Sequence, residues 1–382
     1  MTYVEEARRL RRAILLTVAA VAVMLVLQPA TAGAKPNNAN CQPSFGNSIS
    51  GFISHDDQRR AVERLDRSPN IETEVVGHSN QGREIWTVRV GEGSTVMFIQ
   101  GGIHGLEQHG TKAVLNLMQK LGNESARSQE IREALTVVAI PDINPDGSAV
   151  PQRQNVMPWS DVMEMHPQLP DQPRAWYFSN FNQGFDVNRD FNADLEYEPD
   201  PADLPGSSDG FGFYITPEAR TSRSVYGALE SEFGLVDVFV DLHNQGSCHE
   251  VPDEDRFSTL SISGRFMTDP TAHGDWPRFD EDASLRINVA AYDAMQRANS
   301  GFGDITLYPQ PPRINLPGTA LGSYALRGSA VMLFETSEGT NQNEMGFAVK
   351  QVEVGLTGII DAITDGTIDD VDPGLYEEIP ER

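Results

Sequence analysis

The chain has 382 residues, with 55 acidic and 29 basic side chains and a formal net charge of −26. Such an excess of negative charge argues against nucleic acids and anionic membrane surfaces as partners, because both are bound through basic surfaces. Hydrophobic residues make up 39% of the chain, which excludes a wholly disordered protein and allows one large or two ordinary domains.

The N-terminal residues have the features of an export signal. Four arginines lie within residues 8–12, an uncharged apolar run covers 13–27, and small residues surround Ala32 and Ala34. This pattern predicts a signal peptide over residues 1–32, cleaved after Ala32 or Ala34, that directs export by the general or the twin-arginine route. The alternative is a membrane anchor, but the 15 residues of the run fall short of the about 20 that span a bilayer.

A polar extension over residues 33–50 is predicted to follow the signal peptide. It contains Cys41, and the second cysteine of the chain is Cys248. In an exported protein the two either form a disulfide or remain as free thiols.

Helical patterns and short apolar runs alternate beyond residue 50. A helix is predicted over 55–67, and a strand pair over 71–78 and 83–90 with the turn Asn80-Gln81-Gly82. Four further runs, rich in β-branched residues and too short for ordinary helices, predict buried strands at 95–100, 136–140, 236–240 and 330–334. Further helices are predicted at 108–121, 217–232, 283–298 and 346–364. This alternation predicts a single α/β domain over residues 51–365, with a mixed, mostly parallel central sheet flanked by helices.

Two long polar stretches and an acidic tail stand outside this alternation. Residues 155–182 and 194–212 are longer than ordinary connections, and such loops are either functional or disordered. Residues 366–382 are acidic and have no apolar periodicity, so we expect a mobile tail outside the domain.

Polar side chains collect where the buried runs end. The first run leads into Gly101-Gly102-Ile103-His104-Gly105-Leu106-Glu107, the third into Asp241-Leu242-His243 and the fourth into Glu335. Ligands of open α/β sheets bind beyond the carboxyl ends of the strands, so these side chains are expected to meet. His104, Glu107 and His243 then form the His₂Glu set of a catalytic zinc site. Alternatively, His104 and Glu107 only cap a helix start and His243 is structural.

Six segments, taken in order, resemble the zinc carboxypeptidase family of the carboxypeptidase A type. They are Ser79-Asn80-Gln81-Gly82-Arg83, Gly102-Ile103-His104-Gly105-Leu106-Glu107, Asn144-Pro145-Asp146-Gly147, Asp186-Val187-Asn188-Arg189-Asp190-Phe191, Asp241-Leu242-His243 and Phe334-Glu335. The resemblance spans roughly residues 51–365 and is to the bacterial or archaeal type, which lacks a folded inhibitory propeptide.

The resemblance implies a role for each candidate site residue. His104, Glu107 and His243 would bind one Zn²⁺ ion, which activates water and polarises the scissile carbonyl. Glu335 would be the general base, and Arg153 would stabilise the oxyanion of the tetrahedral intermediate.

The resemblance also assigns Asn188 and Arg189 to the terminal carboxylate of the substrate, for which a guanidinium is well shaped. The alternative is that Arg189 is structural and pairs with Asp186 or Asp190.

Some positions depart from the family's pattern or leave a choice open. Leu106 stands where pancreatic members carry an arginine that contacts the peptide backbone. We assign the mobile tyrosine that covers bound substrate to Tyr324, with Tyr308 as the alternative, although either ring could simply pack in the core. The side-chain pocket is expected within 315–323, with its preference open, and Glu338 is the alternative general base.

These features predict a secreted zinc metallocarboxypeptidase, a monomer that acts on peptides with a free C-terminus. The second hypothesis is a related deacylase or amidase, which would use the same zinc site on acylated amino acids or cell-wall peptides. The third is a catalytically inactive binding module, although every expected ligand and the base are present. Neither a nucleic-acid partner nor a membrane span after signal cleavage is expected.

Overall fold

The computed structural model describes residues 52–246, 249–252, 257–298, 302, 304–337 and 345–382. The predicted signal peptide, the polar extension, both cysteines and Glu338 lie outside the described residues. Among the residues that are described, no helix combines the length and apolar character needed to cross a membrane.

Eight strands form the central sheet, in the spatial order β1-β2-β4-β3-β7-β10-β8-β9. Their bounds are β1 Ile71–His78, β2 Glu84–Val90, β3 Thr95–Gly101, β4 Leu135–Ile140, β7 Val238–Gln245, β8 Leu260–Ser263, β9 Ile305–Leu307 and β10 Ala330–Ser337, while β5 Phe178–Ser179 and β6 Gly184–Phe185 form a separate pair. Four of the seven pairings in the large sheet are parallel. The prediction of a mixed, mostly parallel sheet flanked by helices is confirmed.

The helices cover both faces of this sheet. They are α1 His55–Leu65, α2 His109–Leu121, α3 Ala126–Ala134, α4 Pro145–Ala149, α5 Trp159–Met165, α6 Pro217–Phe233, α7 Glu281–Ala298, α8 Ala320–Arg327 and α9 Met345–Thr364. The five long predicted helices are present within a few residues of their expected bounds. The short helices and the short strands β8 and β9 were missed, because they are too brief to show a period.

Alternate residues of the buried strands enter different cores, as the two-residue period of a strand requires. On β10, Met332 and Phe334 belong to the core on the face of α7 and α9, whereas Val331 and Leu333 belong to the core on the opposite face, with α6 and α8. Continued along β10, this alternation directs Glu335 toward the face of α6 and α8.

The central strand β7 lies between β3 and β10 and is parallel to both. Gly101, the last residue of β3, is level with Leu242, and Glu335 of β10 is paired with His243. The three strands therefore release their following segments at one edge of the sheet, where the candidate site forms.

One buried carboxylate, Asp190, which is 0% exposed, joins the first long polar stretch to the segment that directly follows the second. Its two oxygens accept five hydrogen bonds, from the hydroxyls of Tyr177 and Thr216 and from the backbone N–H groups of Phe213, Ile215 and Thr216. The stretches also have an apolar core of their own, which includes Trp159 and Phe185. They are ordered layers over the site.

The expectation of a mobile tail over residues 366–382 is wrong. Two short 3-10 helices, Ile368–Asp370 and Pro373–Glu378, follow α9, and the segment packs on the sheet. Tyr376 is 0% exposed, and its hydroxyl donates to Gln310 Oε1 at 3.0 Å. Because Tyr376 and Ile379 belong to the main core, the domain continues beyond residue 365.

Candidate active site

Three buried side chains converge beyond the carboxyl ends of β3 and β7. His104 Nδ1 lies 2.8 Å from Glu107 Oε1, His243 Nδ1 lies 2.9 Å from Glu107 Oε2, and the two Nδ1 atoms are 3.2 Å apart. Ligand atoms of a tetrahedral zinc ion with bonds of about 2.0–2.2 Å lie roughly 3.3 Å from one another. Among the described residues this is the only group of three such side chains close enough to share an ion. The residues therefore fit a Zn²⁺ ion.

A carboxylate faces the outer nitrogen of each histidine. His104 Nε2 is 3.2 Å from Asp186 Oδ1, and His243 Nε2 is 2.9 Å from Asp241 Oδ2. A carboxylate at Nε2 holds the proton there, which leaves the Nδ1 lone pair free for a metal. Burial raises the pKa of Glu107, but His104 and His243 outweigh it and hold that pKa below its ordinary value. Glu107 is thus an anionic ligand.

The loop that carries His104 and Glu107 is shaped by its glycines and by the segment 144–147. Gly102 has φ +69°, and a Cβ on Gly105 would lie 1.9 Å from the carbonyl carbon of Gly147. Asn144 Nδ2 donates to the backbone oxygen of Ile103 at 3.0 Å. The Asn-Pro-Asp-Gly segment is therefore a support for the metal loop.

A second layer of contacts holds this support in place. The buried carboxylate of Asp146 accepts from Ser79 Oγ at 2.7 Å, from the backbone N–H of Gln81 at 2.8 Å and from Arg83 at 2.6 Å. The turn at 79–83 thus fixes the 144–147 segment, which in turn fixes the metal loop.

Glu335 stands next to the metal set on β10, opposite His243. Its carboxylate accepts no hydrogen bond from any residue in the described part of the chain, so it is free to bind water. Burial raises the pKa of Glu335 to about 7, and the neighbouring Glu107 also raises it. A carboxyl group with a pKa near neutrality is suited to general acid–base catalysis.

Arg153 lies on the opposite side of His104. Its Nε and Nη2 donate to Asp186 Oδ2 at 3.0 and 2.9 Å, while Nη1 lies 3.2 Å from His104 Nδ1 and 3.9 Å from Glu107 Oε1. Asp186 therefore orients a histidine and an arginine together. The guanidinium is held directly beside the proposed metal position.

Asn188 and Arg189 form a turn directly after Asp186. Asn188 is 5% exposed; its Oδ1 accepts from the backbone of Ala320 at 3.1 Å, and its Nδ2 is 3.2 Å from His243 Nε2. His243 Nε2 carries a proton that it donates to Asp241, so it cannot accept a hydrogen bond from Asn188 Nδ2. The N–H groups of the Asn188 amide are therefore available to another acceptor.

Arg189 is half-buried, and the alternative that it pairs with Asp186 or Asp190 is not what the structure shows. Asp186 binds Arg153 and His104, and Asp190 accepts from hydroxyl and backbone groups. Arg189 donates to the backbone oxygen of Asn188 at 2.6 Å, and no carboxylate of the described residues lies within 4 Å of its guanidinium. An unpaired cation next to the metal set is available to an anionic group of a ligand.

The assignment of Tyr324 to substrate binding is not supported by its position. Tyr324 is 0% exposed; its ring stacks on Tyr226 at 3.9 Å and meets Phe191 and Phe239 edge to face. Its hydroxyl lies 3.1 Å from Ser222 Oγ. Tyr324 is a core residue, because helix α8 turns this side of its surface toward the sheet.

The alternative tyrosine, Tyr308, lies beside the site. It directly follows β9 and is half-buried. Burial raises the pKa of Tyr308, the nearby Glu335 raises it further, and Arg189 and His243 are close enough to act in the opposite direction. Tyr308 is thus the better placed of the two tyrosines to meet a ligand.

Sequence reasoning missed the two orienting carboxylates. Asp241 lies two residues before His243 on the same strand, so the two side chains share a face. Asp186 opens the Asp-Val-Asn-Arg segment and was read only as a possible partner of Arg189. His109, which follows the metal loop, is buried with its Nδ1 2.8 Å from Thr336 Oγ1.

A His₂Glu set with a free neighbouring carboxylate, at the carboxyl edge of a mixed sheet, is the kind of site that zinc-dependent hydrolases use. The sequence model of one family, described as zinc carboxypeptidase, matches residues 60–281. The chain belongs to the zinc carboxypeptidase family.

Solved structures of low sequence identity share the fold. Carboxypeptidase A from Helicoverpa armigera is 17% identical, with a TM-score of 0.58 over 83% of this chain and 75% of that one. A metallo-carboxypeptidase from Pseudomonas aeruginosa is 18% identical, with a TM-score of 0.53 over 82% and 69%. One from Burkholderia cenocepacia is 14% identical, with a TM-score of 0.54 over 82% and 70%.

The contact between Gly105 and Gly147 predicts the effect of one added methyl group. Gly105→Ala should push the metal loop away from the 144–147 segment, because its Cβ would overlap the Gly147 backbone. We expect zinc affinity to fall about tenfold or more, as for other losses of metal-site support, measured by competition with a chelator. Gly346→Ala is the control, since nothing lies within 4 Å of its added Cβ. Unchanged zinc affinity in Gly105→Ala would contradict the proposed role of this contact.

Proposed function

We propose that this chain is a zinc-dependent metallocarboxypeptidase that hydrolyses the C-terminal peptide bond of peptides. The observation that carries the proposal is the joint placement of a His₂Glu set, a free carboxylate and an unpaired arginine. The first two support hydrolysis at a metal, and Arg189 supports recognition of a free carboxylate. Membership of the zinc carboxypeptidase family supports the same assignment.

His104, Glu107 and His243 would hold the zinc ion, which supplies a Lewis acid that polarises a carbonyl and activates water. Asp186 and Asp241 keep the protons of the two imidazoles on Nε2 and so keep Nδ1 available. Their contribution is to fix the ligand set before substrate arrives.

Glu335 would act as the general base and acid of the reaction. Its carboxylate is free of partners within the described residues, and its raised pKa, about 7, lets it take a proton from water and return it to the leaving amine. Arg153, held by Asp186, would donate an N–H to the oxygen on which negative charge develops.

Arg189 and the free N–H groups of Asn188 would bind the terminal carboxylate of the substrate. Tyr308, beside Glu335, would cover the bound peptide. The chain as a whole repels an anionic peptide terminus, since its net charge is −26. Local cations must therefore outweigh the overall charge.

The base assignment predicts a variant that keeps its metal and loses its activity. Glu335→Gln should lower kcat about 100-fold or more, the range reported for loss of a general base, without lowering zinc content. Chelation of the wild-type protein should abolish peptide trimming, and added zinc should restore it. Glu232→Gln, which alters an exposed ion pair with Arg89, is the matched control and should stay within about twofold. Full activity of Glu335→Gln, or activity after chelation, would refute the mechanism.

A zinc deacylase is the second candidate, because Arg189 would fit the carboxylate of an acylated amino acid equally well. The two candidates differ in the group on the acyl side of the bond. A peptidase should cleave a peptide with a free C-terminus much faster than an acylated amino acid with a simple fatty or acetyl group.

Whether the protein is a peptidase or a deacylase, the carboxylate site can be tested by comparing a substrate that has a free C-terminal carboxylate with its C-terminal amide. The C-terminal amide of the same peptide should be a poor substrate, and Arg189→Gln should raise KM for the acid about 10-fold or more while changing that for the amide little. Mass spectrometry of the products reports both the bond cleaved and the rate. Equal rates for acid and amide would remove the argument for a carboxylate site.

We also propose that the protein is exported. The proposal is supported by the sequence of residues 1–34, with its basic start, apolar run and small residues. The mature protein from the native host should begin at Gly33 or Lys35. An intact N-terminus on the purified native protein, determined by mass spectrometry, would contradict export by cleavage.

A further inference from the structure

The end of the tail is fixed beside β9. The backbone N–H of Leu307 donates to Pro380 O at 2.7 Å, and that of Arg382 donates to Leu307 O at 3.4 Å. Glu381 forms an ion pair with Arg313 at 2.6 Å, and Ile379 is 3% exposed in the main core. Residues 379–382 thus occupy a defined position next to the strand that leads into Tyr308.

This position brings the side chain of Arg382 to the active site. Its guanidinium donates to Gln245 Oε1 and lies over the ring of Tyr308, with Cζ 4.5 Å from the ring centre. Gln245 is two residues beyond His243 on β7, so the two side chains point to the same face. Arg382 therefore approaches the metal set from beyond the end of β7, whereas Asn188 contacts His243 directly.

The positive charge of Arg382 is not balanced by a close partner. No aspartate or glutamate side chain of the described residues lies within 4 Å of its guanidinium, and its Nε is buried without a hydrogen-bond partner. Burial and, to a smaller extent, Arg313 lower the pKa of Arg382, whereas Tyr308 and Glu335 act in the opposite direction, which places this guanidinium within electrostatic reach of the site. Burial lowers the pKa of Arg382, which means that holding this cation in the folded protein costs desolvation free energy.

The neighbouring arginine shows the contrast. Arg313 is about half exposed, and its charge is neutralised by Glu381. The chain has 55 acidic side chains, yet Arg382 is half-buried beside the site and pairs with none of those in the described part of the chain. An arginine in this position is available to bind an anionic group of a ligand.

We propose that Arg382 binds a carboxylate side chain in the last two residues of the substrate and so makes the enzyme select acidic peptides. The inference rests on the proposed function and adds a substrate class to it. The terminal carboxylate goes to Arg189, and the side-chain carboxylate goes to Arg382. Aspartate or glutamate at the last or at the penultimate position provides the same chemistry, and the test separates the two.

The test measures peptide affinity in zinc-loaded Glu335→Gln protein, so that binding is recorded without turnover. Three peptides of equal length are compared: one neutral, one with glutamate at the last residue and one with glutamate at the penultimate residue, with glutamine at the matched positions. One of the two acidic peptides should bind about tenfold or more tightly than the neutral peptide, as expected for a hydrogen bond between charged groups. The position that gains affinity identifies the subsite.

Arg382→Gln, added to this protein, should abolish the preference, because it lowers the affinity for the acidic peptide far more than the affinity for the neutral peptide. Arg382→Lys should retain part of the preference, because it keeps the charge and loses the fork. Arg59→Gln is the control: it removes an equal charge from exposed ion pairs on α1, which do not hold the tail, and should leave the preference intact. Thermal unfolding of each variant checks that the tail stays in place.

Three results would overturn the inference: no acidic preference, equal loss of neutral and acidic peptides in Arg382→Gln, or the same loss of preference in Arg59→Gln. The proposed function is judged separately, by chelator-sensitive trimming of the neutral peptide by the wild-type protein. Trimming without acidic preference refutes only the role of Arg382. Binding with acidic preference but no trimming refutes only the peptidase.

Discussion

The site depends on the alignment of three parallel strands. Because β7 pairs with β3 and β10 in one register, His243 is level with Glu335, and the segment after Gly101 begins one position away. A shift of any of these strands by one residue would turn its side chains to the opposite face. Such a shift is opposed by the two separate cores, which accept alternate residues of each strand. Packing of the whole sheet thus sets the position of the chemistry.

Acidic residues serve two opposite purposes in this protein. Most of the 55 contribute only charge to the surface, but Asp186 and Asp241, with side chains 16% and 0% exposed, determine which nitrogen of each histidine can bind a metal. Asp186 also fixes Arg153, so one carboxylate positions a ligand and a cation together. The positive groups at the site are of two kinds. Arg153 is oriented by a carboxylate, whereas Arg189 has no carboxylate partner among the described residues.

The sequence was sufficient to predict those parts of the fold in which hydrophobic residues follow a regular pattern. Buried runs predicted the strands, and the residues at their ends predicted the metal set. Tyr324 and Tyr308 could not be separated in this way, because the sequence does not show that α8 turns Tyr324 into an aromatic cluster. The tail was predicted to be mobile because it is mostly acidic and its few apolar residues follow no period. Tyr376 and Ile379 are among these apolar residues, and they reach the core through tertiary contacts. The partnership between Arg382 and Gln245 joins residues far apart in the chain, which no local pattern reveals.

The five hydrogen bonds of Asp190 have a consequence for the entropy of binding. This carboxylate lies one residue after Arg189 and joins Tyr177, in the first long polar stretch, to the start of α6. A carboxylate site built on freely moving loops would lose the freedom of those loops whenever a peptide bound, which weakens affinity. Here the hydrogen bonds of Asp190 already join Tyr177 and residues 213–216 in the folded chain. The conformational freedom lost on binding therefore belongs mainly to the peptide, and short, stiff peptides should lose least.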